Sequence, residues 1–152
     1  MDRTKVDRSQ IENLIPHRFP FLWIDQIAEL EPGVRCVARK YVDPAEAFFA
    51  GHFPGEPVVP GVFLIEAVAQ TAGVMLAGVA KGQGIPKLAA VNRFKFLKLV
   101  RPGAELRIET RKLSEAGAMA YIEGTVHVGD EMVARGELTV VSAENRDAEP
   151  EH

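Results

Sequence analysis

The sequence predicts an α+β domain in which an antiparallel sheet wraps one long buried helix. Three observations predict it. The run from Val62 to about Ala80 is apolar apart from Glu66, Gln70 and Thr71. As a helix it would be roughly 28 Å long, and its apolarity nearly all round places it in a core. The flanking sequence reads as strands, two before this run and four after it, joined by short turns. Glu105 to Lys112 alternates cleanly, with Leu106, Ile108 and Thr110 on one side and Arg107, Glu109 and Arg111 on the other. A sheet with a single helix to cover it leaves edges or a face in need of a partner, and dimerisation is the simplest solution.

In chain order, Ser9 to Leu14 predicts a short helix, with Ser9 as N-cap and Glu12 three residues on, ended by Pro16. His17-Arg18-Phe19-Pro20-Phe21 is a proline-stiffened aromatic loop. Phe21 to Glu29 reads as a strand, Glu31-Pro32-Gly33 as a turn, and Val34 to Val42 as a second, one-sided strand. The loop from Gly51 to Gly61 holds prolines at 54, 57 and 60, which fix φ and bias the preceding residues toward extended conformations. It is therefore stiff, and it carries His52 at its start. After the central helix, Gly82-Gln83-Gly84 breaks the chain; with Pro86 close behind and no helix following, it is not a dinucleotide fingerprint. Lys87 to Lys98 reads as a strand and Pro102-Gly103 as a turn. Met119 to Val128 and Met132 to Val141 are joined by the hairpin signal Gly129-Asp130-Glu131. Residues 1–141 are expected to form one domain, and the polar, acidic stretch 142–152 to be a disordered tail.

The totals narrow the function classes. A chain of 152 residues fits one domain with a real core. An apolar fraction of 47% and a charged fraction of 26% are those of an ordinary soluble protein, and a net charge of −3 argues against general nucleic-acid binding. The single cysteine, Cys36, excludes an internal disulfide and a cysteine-only metal site, and fits a reducing compartment. No apolar signal segment follows Met1. The run from Val62 has the length of a membrane span, but Glu66, Gly73 and Gly78 within it and strands around it argue otherwise. The expectation is a cytoplasmic protein.

Nucleophilic catalysis finds little support. Serines occur only at 9, 114 and 142, none in a Gly-x-Ser-x-Gly setting, and Cys36 lies in a strand as a core residue. Metal catalysis is equally poor, because His17, His52, His127 and His152 have no ligand spacing. His127 sits in an alternating strand and reads as structural. What remains is acid–base chemistry. Glu66 and Gln70 share one helix face, and a carboxylate in a buried helix is costly without a partner or a task. Singly, Glu66 reads equally well as half of a structural ion pair, and His52 as a loop residue capping backbone groups. Together, across a rigid loop, a histidine and a carboxylate make a general acid–base pair. The helix N-terminus near Gly61 offers free amides and positive dipole character to a carbonyl oxygen gaining charge. Burial favours the acid form of Glu66, and the helix N-terminus opposes it.

The segment Gly51-His52-Phe53-Pro54-Gly55-Glu56-Pro57-Val58-Val59-Pro60-Gly61, followed by Glu66-Ala67 and Gln70, resembles the signature of the FabZ-type 3-hydroxyacyl-[acyl-carrier-protein] dehydratases. Leu14-Ile15-Pro16-His17-Arg18-Phe19-Pro20-Phe21-Leu22 with Asp25 resembles that family's N-terminal motif, and the likeness runs from about Ile11 to Val141. The resemblance implies a hot-dog fold and dehydration of 3-hydroxyacyl thioesters to trans-2-enoyl thioesters in fatty-acid synthesis, without a cofactor or metal. It implies His52 and Glu66 as the catalytic pair, contributed by different subunits of a homodimer, with dimers assembling into hexamers. It implies the Gly61 amide as a holder of the thioester carbonyl, with Phe53, Pro60 and Val62 as substrate-binding neighbours. Glu66 favours the FabZ type over the sister FabA type, which carries Asp there. Two positions depart from the family pattern: Leu99 stands where Pro is usual, and Ala104 where Asp is usual.

The implied partner is an acyl carrier protein, which is acidic. From Leu88 to Ala104 there is no acidic residue, while Arg93, Lys95, Lys98 and Arg101 are all present; a basic strand of this kind could dock such a partner. The same residues also fit a solvated sheet face. The interleaved Phe94 and Phe96 permit a single-stranded nucleic-acid reading, which no nucleic-acid motif supports. Two further readings on the same fold are an acyl thioesterase, releasing free thiol, and a non-catalytic acyl-thioester-binding module.

Overall fold

The structure, a computed structural model, describes residues 6–18, 21–51, 55–77, 79 and 86–142. In chain order the elements are β1 (Val6–Asp7), α1 (Arg8–Ile11), β2 (Gln26–Glu31), β3 (Arg35–Tyr41), a 3-10 turn (Ala47–Ala50), α2 (Gly61–Leu76), β4 (Lys87–Phe96), β5 (Glu105–Ala116), β6 (Met119–Val128) and β7 (Glu131–Val141). The strands form one sheet in the order β1-β2-β3-β5-β6-β7-β4, every neighbouring pair antiparallel. Six longer strands carry it, and β1 adds two residues at one edge. The sheet wraps α2, which is the hot-dog arrangement expected from the sequence.

Helix α2 packs against β3, β5 and β6. Leu64, Ala67, Val68, Ala72, Val74 and Met75 are buried against Ala38, Leu106, Ile108, Ile122 and Val126 in one continuous core. The predicted alternation in β5 holds, since Leu106, Ile108 and Thr110 are fully buried. The helix lies so close to β6 that a Cβ on Gly124 would overlap the Val68 side chain; glycine is required there by the approach of the helix. Cys36 is fully buried beside this core. Burial pushes its thiol up to about 12, with only a small opposing pull from the Arg35 charge.

The opposite face of the sheet is charged. Arg35 Nε donates to Glu109 at 2.6 Å and Arg35 Nη1 to Glu29 at 2.6 Å. Arg111 and Arg107 approach the same Glu109 at 3.3 and 3.7 Å. Burial pushes the Glu109 carboxyl up, but the Arg35 hydrogen bond and the three guanidinium charges outweigh it and hold Glu109 below its ordinary value.

Several boundaries differ from the sequence reading, three of them for reasons visible in the hydrogen bonding and burial. The first helix starts at Arg8, and its cap is Asp7, not Ser9. The Asp7 carboxylate accepts the Gln10 N–H at 3.2 Å, and the Gln10 side chain accepts the Asp7 N–H at 3.2 Å, a reciprocal capping box; the Ser9 hydroxyl donates to Asp7. The strand expected over Phe21 to Glu29 begins only at Gln26. Leu22, Trp23 and Ile24 are buried in succession, against the period of two a paired strand requires, and the segment is bonded to α2 through a side chain described below. Helix α2 stops at Leu76, short of the expected Ala80. Ala77 turns extended, with ψ 126°, and the Met75 carbonyl is taken at 2.8 Å by the N–H of Gly33 in the β2–β3 turn. Beyond β7, Ser142 is buried and its N–H donates to Ala118 O. Residues 143–152 lie outside the described residues.

Candidate active site

The loop expected to carry His52 is pinned on both sides. On the entering side, the rings of Phe48 and Phe49 meet at a tilt with centroids 4.6 Å apart, and Phe48 meets Phe63 of α2 edge-on at 4.6 Å. Trp23 packs against the same Phe63 at 5.8 Å. On the leaving side, Val58 and Val59 are buried, and the Val59 N–H donates to Val100 O at 2.8 Å. His52 and Phe53 themselves lie outside the described residues.

The chain then enters α2 at Gly61. The cap residue is Pro60, with φ −58° and ψ 137°, and no side chain caps the helix. Proline offers no side-chain acceptor, and of the first-turn amides only that of Phe63 turns back, to the Pro60 carbonyl at 2.9 Å, so among the described residues those of Gly61 and Val62 keep their donor capacity and positive dipole character. Gly61 packs under Phe96 of β4: a Cβ there would stand 3.0 Å from the ring. Val62, at the same end, is exposed. The sequence reading places the thioester carbonyl at this helix end, with Pro60 and Val62 on either side of Gly61 in the chain.

Glu66 lies five residues into α2, roughly 7.5 Å along the axis from Gly61. It is three-quarters buried, and two groups meet one of its oxygens. Gln70 Nε2 donates to Oε2 at 2.9 Å, and His17 Nε2 stands 3.5 Å from the same atom. His17 is stacked on Phe21 at 5.9 Å, and among the described residues its buried Nδ1 has no hydrogen-bond partner. A cavity of about 110 Å³ opens beside Glu66 and His17. It runs along the small-residue face of α2, past Ala69, Gly73 and Ala77, toward Pro86, Lys87 and Leu88 at the start of β4. Gly73 is what lets Ile15 close over the helix: a Cβ there would sit 3.1 Å from Ile15 Cγ2.

Sequence reasoning placed Gln70 on the face of Glu66, and the structure brings them together. It missed His17, which was weighed only as a metal ligand. The signal was its position between Pro16 and Pro20: a proline-stiffened loop holds an imidazole in place as firmly before the helix as the Gly51–Gly61 loop does. Among the described residues no group of three or more His, Cys, Asp and Glu could hold a metal ion, and no helix is long and apolar enough to cross a membrane.

The four basic residues proposed for docking separate into two pairs. Lys98 is paired with Glu131 at 3.2 Å and Arg101 with Glu56 at 3.6 Å, so acidic neighbours from other segments offset them. Arg93 and Lys95 instead line an open hollow on the outer face of the sheet, with Arg135, Thr125, Glu123 and Glu137. They flank a bulge of β4, where the register against β7 shifts between Asn92 and Lys95 and Arg93 adopts φ 55°. The bulge turns Phe94 onto Gly136, where a Cβ would stand only 2.7 Å from the Phe94 Cα.

Residues 15–137 match the model of the FabA-like domain family. The chain is 41% identical over 142 residues to a 3-hydroxyacyl-[acyl-carrier-protein] dehydratase FabZ of Geotalea uraniireducens, covering 91% of this chain and 98% of that one. It is 43% identical over 129 residues to the protein of the same name from Clostridium kluyveri, covering 84% and 90%. Among solved structures, the chain superposes on a sigma28-regulated virulence protein from Campylobacter jejuni with TM-score 0.70 at 14% identity, over 90% of both chains. It superposes on a chain of a dehydratase heterocomplex from Xenorhabdus doucetiae with TM-score 0.60 at 23% identity, over 74% of this chain and 92% of that one; at these identities the likeness is one of fold. On the family match and the identity to curated relatives along nearly their whole length, the chain belongs to the FabZ-type 3-hydroxyacyl-[acyl-carrier-protein] dehydratase family.

Proposed function

We propose that the protein is a hydro-lyase that dehydrates 3-hydroxyacyl-[acyl-carrier-protein] to trans-2-enoyl-[acyl-carrier-protein] in fatty-acid biosynthesis. The observation that carries the reading is Glu66, held by a buried glutamine beside a cavity, on a helix whose N-terminus no side chain caps. The Gly61 amide donates to the thioester carbonyl, which gains negative charge as the α-proton leaves. His52 takes that proton. Glu66 gives its proton to the β-hydroxyl, the C–O bond breaks, water departs, and the electron pair of the former C–H bond becomes the new double bond. Phe53, Pro60 and Val62 lie beside the thioester. Each proton transfer is typically worth about 10²–10⁴ in rate. The reaction needs neither metal nor cofactor.

His52 and Glu66 of one site come from different subunits of a homodimer, and dimers associate further into a hexamer. The carrier protein docks on the open hollow at Arg93 and Lys95, where Arg135 adds a third positive charge against the two carboxylates of Glu123 and Glu137; Lys98 and Arg101, already paired, contribute less. Residues 1–141 act as one domain, and the protein works in the cytoplasm.

The test follows both products of a 3-hydroxyacyl-carrier-protein substrate, in the presence of chelator. Enoyl thioester is expected to form without free thiol, with activity at least about 100-fold lower in Glu66→Gln. Thiol release without enoyl product would make the protein a thioesterase. Tight binding with neither product would make it an acyl-binding module.

A further inference from the structure

Gln70 is fully buried, yet its amide uses both ends. Its Oε1 accepts the N–H of Trp23 at 2.9 Å. Its Nε2 donates to the Phe21 carbonyl at 2.9 Å and to Glu66 Oε2 at 2.9 Å. These partners allow only one orientation. A flipped amide would set its NH2 against the Trp23 N–H and its oxygen against both the Phe21 carbonyl and Glu66 Oε2, leaving all three contacts unmatched. The backbone of the 21–23 segment therefore fixes the amide, and the amide presents its second N–H to Glu66. This also accounts for the segment's absence from the sheet, since the Trp23 N–H and the Phe21 carbonyl are committed to the helix and the Phe21 and Leu22 N–H groups to the Arg18 carbonyl.

The two oxygens of Glu66 are thus unequal. Oε2 accepts from Gln70 and stands 3.5 Å from His17 Nε2. Among the described residues no hydrogen bond reaches Oε1. The carbonyl oxygen of a carboxyl accepts an N–H better than its hydroxyl oxygen does, so the Gln70 bond to Oε2 favours the acid form with its proton on Oε1. The other charged or titratable groups around the carboxyl are His17 and its neighbour Arg18, whose guanidinium turns to the Ile15 and His17 carbonyls, and Lys87 across the cavity. From these contacts we infer that Gln70 is a positioning residue: anchored by the backbone of Phe21 and Trp23, it holds Oε2 of Glu66 so that Oε1 is the oxygen that delivers the proton. The inference rests on the reading of Glu66 as the catalytic acid.

The test compares Gln70→Glu and Gln70→Met with the unaltered protein in its native assembly. Gln70→Glu keeps an acceptor for the Trp23 N–H but sets a second carboxyl against Glu66. It is expected to lower kcat about 10–100-fold with KM changed less than about threefold, and to move one limb of the pH–rate profile upward by about one unit or more, as two adjacent carboxyls cannot both ionise freely. Gln70→Met keeps the volume and removes the donor, and is expected to lower kcat to a similar extent. A variant that folds, assembles and keeps kcat within about twofold with an unshifted profile overturns the inference. Should either variant fail to fold, the side-chain amide resonances of Gln70 in the unaltered protein decide. They should follow a titration that Glu66→Gln abolishes, and resonances indifferent to that substitution overturn the inference as well. If Glu66→Gln itself stays active, it is the reading of Glu66 that falls; if Glu66→Gln is inactive while the Gln70 variants behave as the unaltered protein, only the positioning role falls.

Discussion

Glu109 shows how one side chain couples the outer face of the sheet to pH. Its carboxyl is held below the ordinary carboxylate value despite partial burial, because Arg35 hydrogen-bonds it and Arg107 and Arg111 add charge. A carboxyl whose pKa is lower folded than unfolded stabilises the fold at pH values above its unfolded pKa of about 4.3. That contribution disappears as the pH falls through the folded value. Urea denaturation of the parent and of Glu109→Gln between pH 7 and pH 3 should give a stability gap at neutral pH that narrows on acidification. Parallel curves would assign no linkage to Glu109. Glu66 is the contrasting case: its neighbours are a neutral amide and an imidazole rather than guanidinium groups, and its environment is set by a hydrogen-bond chain. Of these two carboxylates, the sequence made Glu66 visible, because an acidic residue inside an apolar run stands out. Glu109 looked like one polar tooth of an alternating strand, since nothing in local periodicity reports that Arg35 pairs across 74 residues.

At the scale of elements, α2 and β6 meet at Gly124. A Cβ at that position would enter the space of Val68. Gly124→Ala is therefore expected to destabilise the fold by about 1–3 kcal/mol, as overpacking does. The double substitution Gly124→Ala with Val68→Ala should recover part of that loss, because the two sites share one contact. Additive losses in denaturant titrations would refute the contact. The strands and the central helix were legible because their periods of two and near-continuous apolarity are local properties. The ends were not. The close of α2 depends on Gly33, which brings an N–H to the Met75 carbonyl from a turn far away in sequence. The start of β2 depends on Gln70, which binds residues 21–23 to the helix before they can pair with a strand. Asp7 displaced Ser9 as a cap because Gln10 could return the hydrogen bond.

At the scale of the whole molecule, the sheet ends on β4, an edge strand that leaves Leu88, Val91 and Phe96 exposed. Such an edge calls for covering, which a shared-site dimer would supply. Complementation tests the sharing directly. His52→Ala and Glu66→Gln proteins, each inactive alone, should regain part of the parental activity when unfolded together and refolded, since a mixed dimer holds one site with both parental residues. Correctly assembled mixed dimers without activity would place both residues of a site in one chain. The strand order carries one more consequence. Among the described residues the only sheet neighbour of β4 is β7, which follows it in the chain after two intervening strands. During synthesis, which runs from the N-terminus, β4 leaves the ribosome with both of its edges open. The edge that β7 takes stays open until the closing strand of the domain emerges, which makes the interval between the two the period in which a nascent chain of this protein most needs a chaperone.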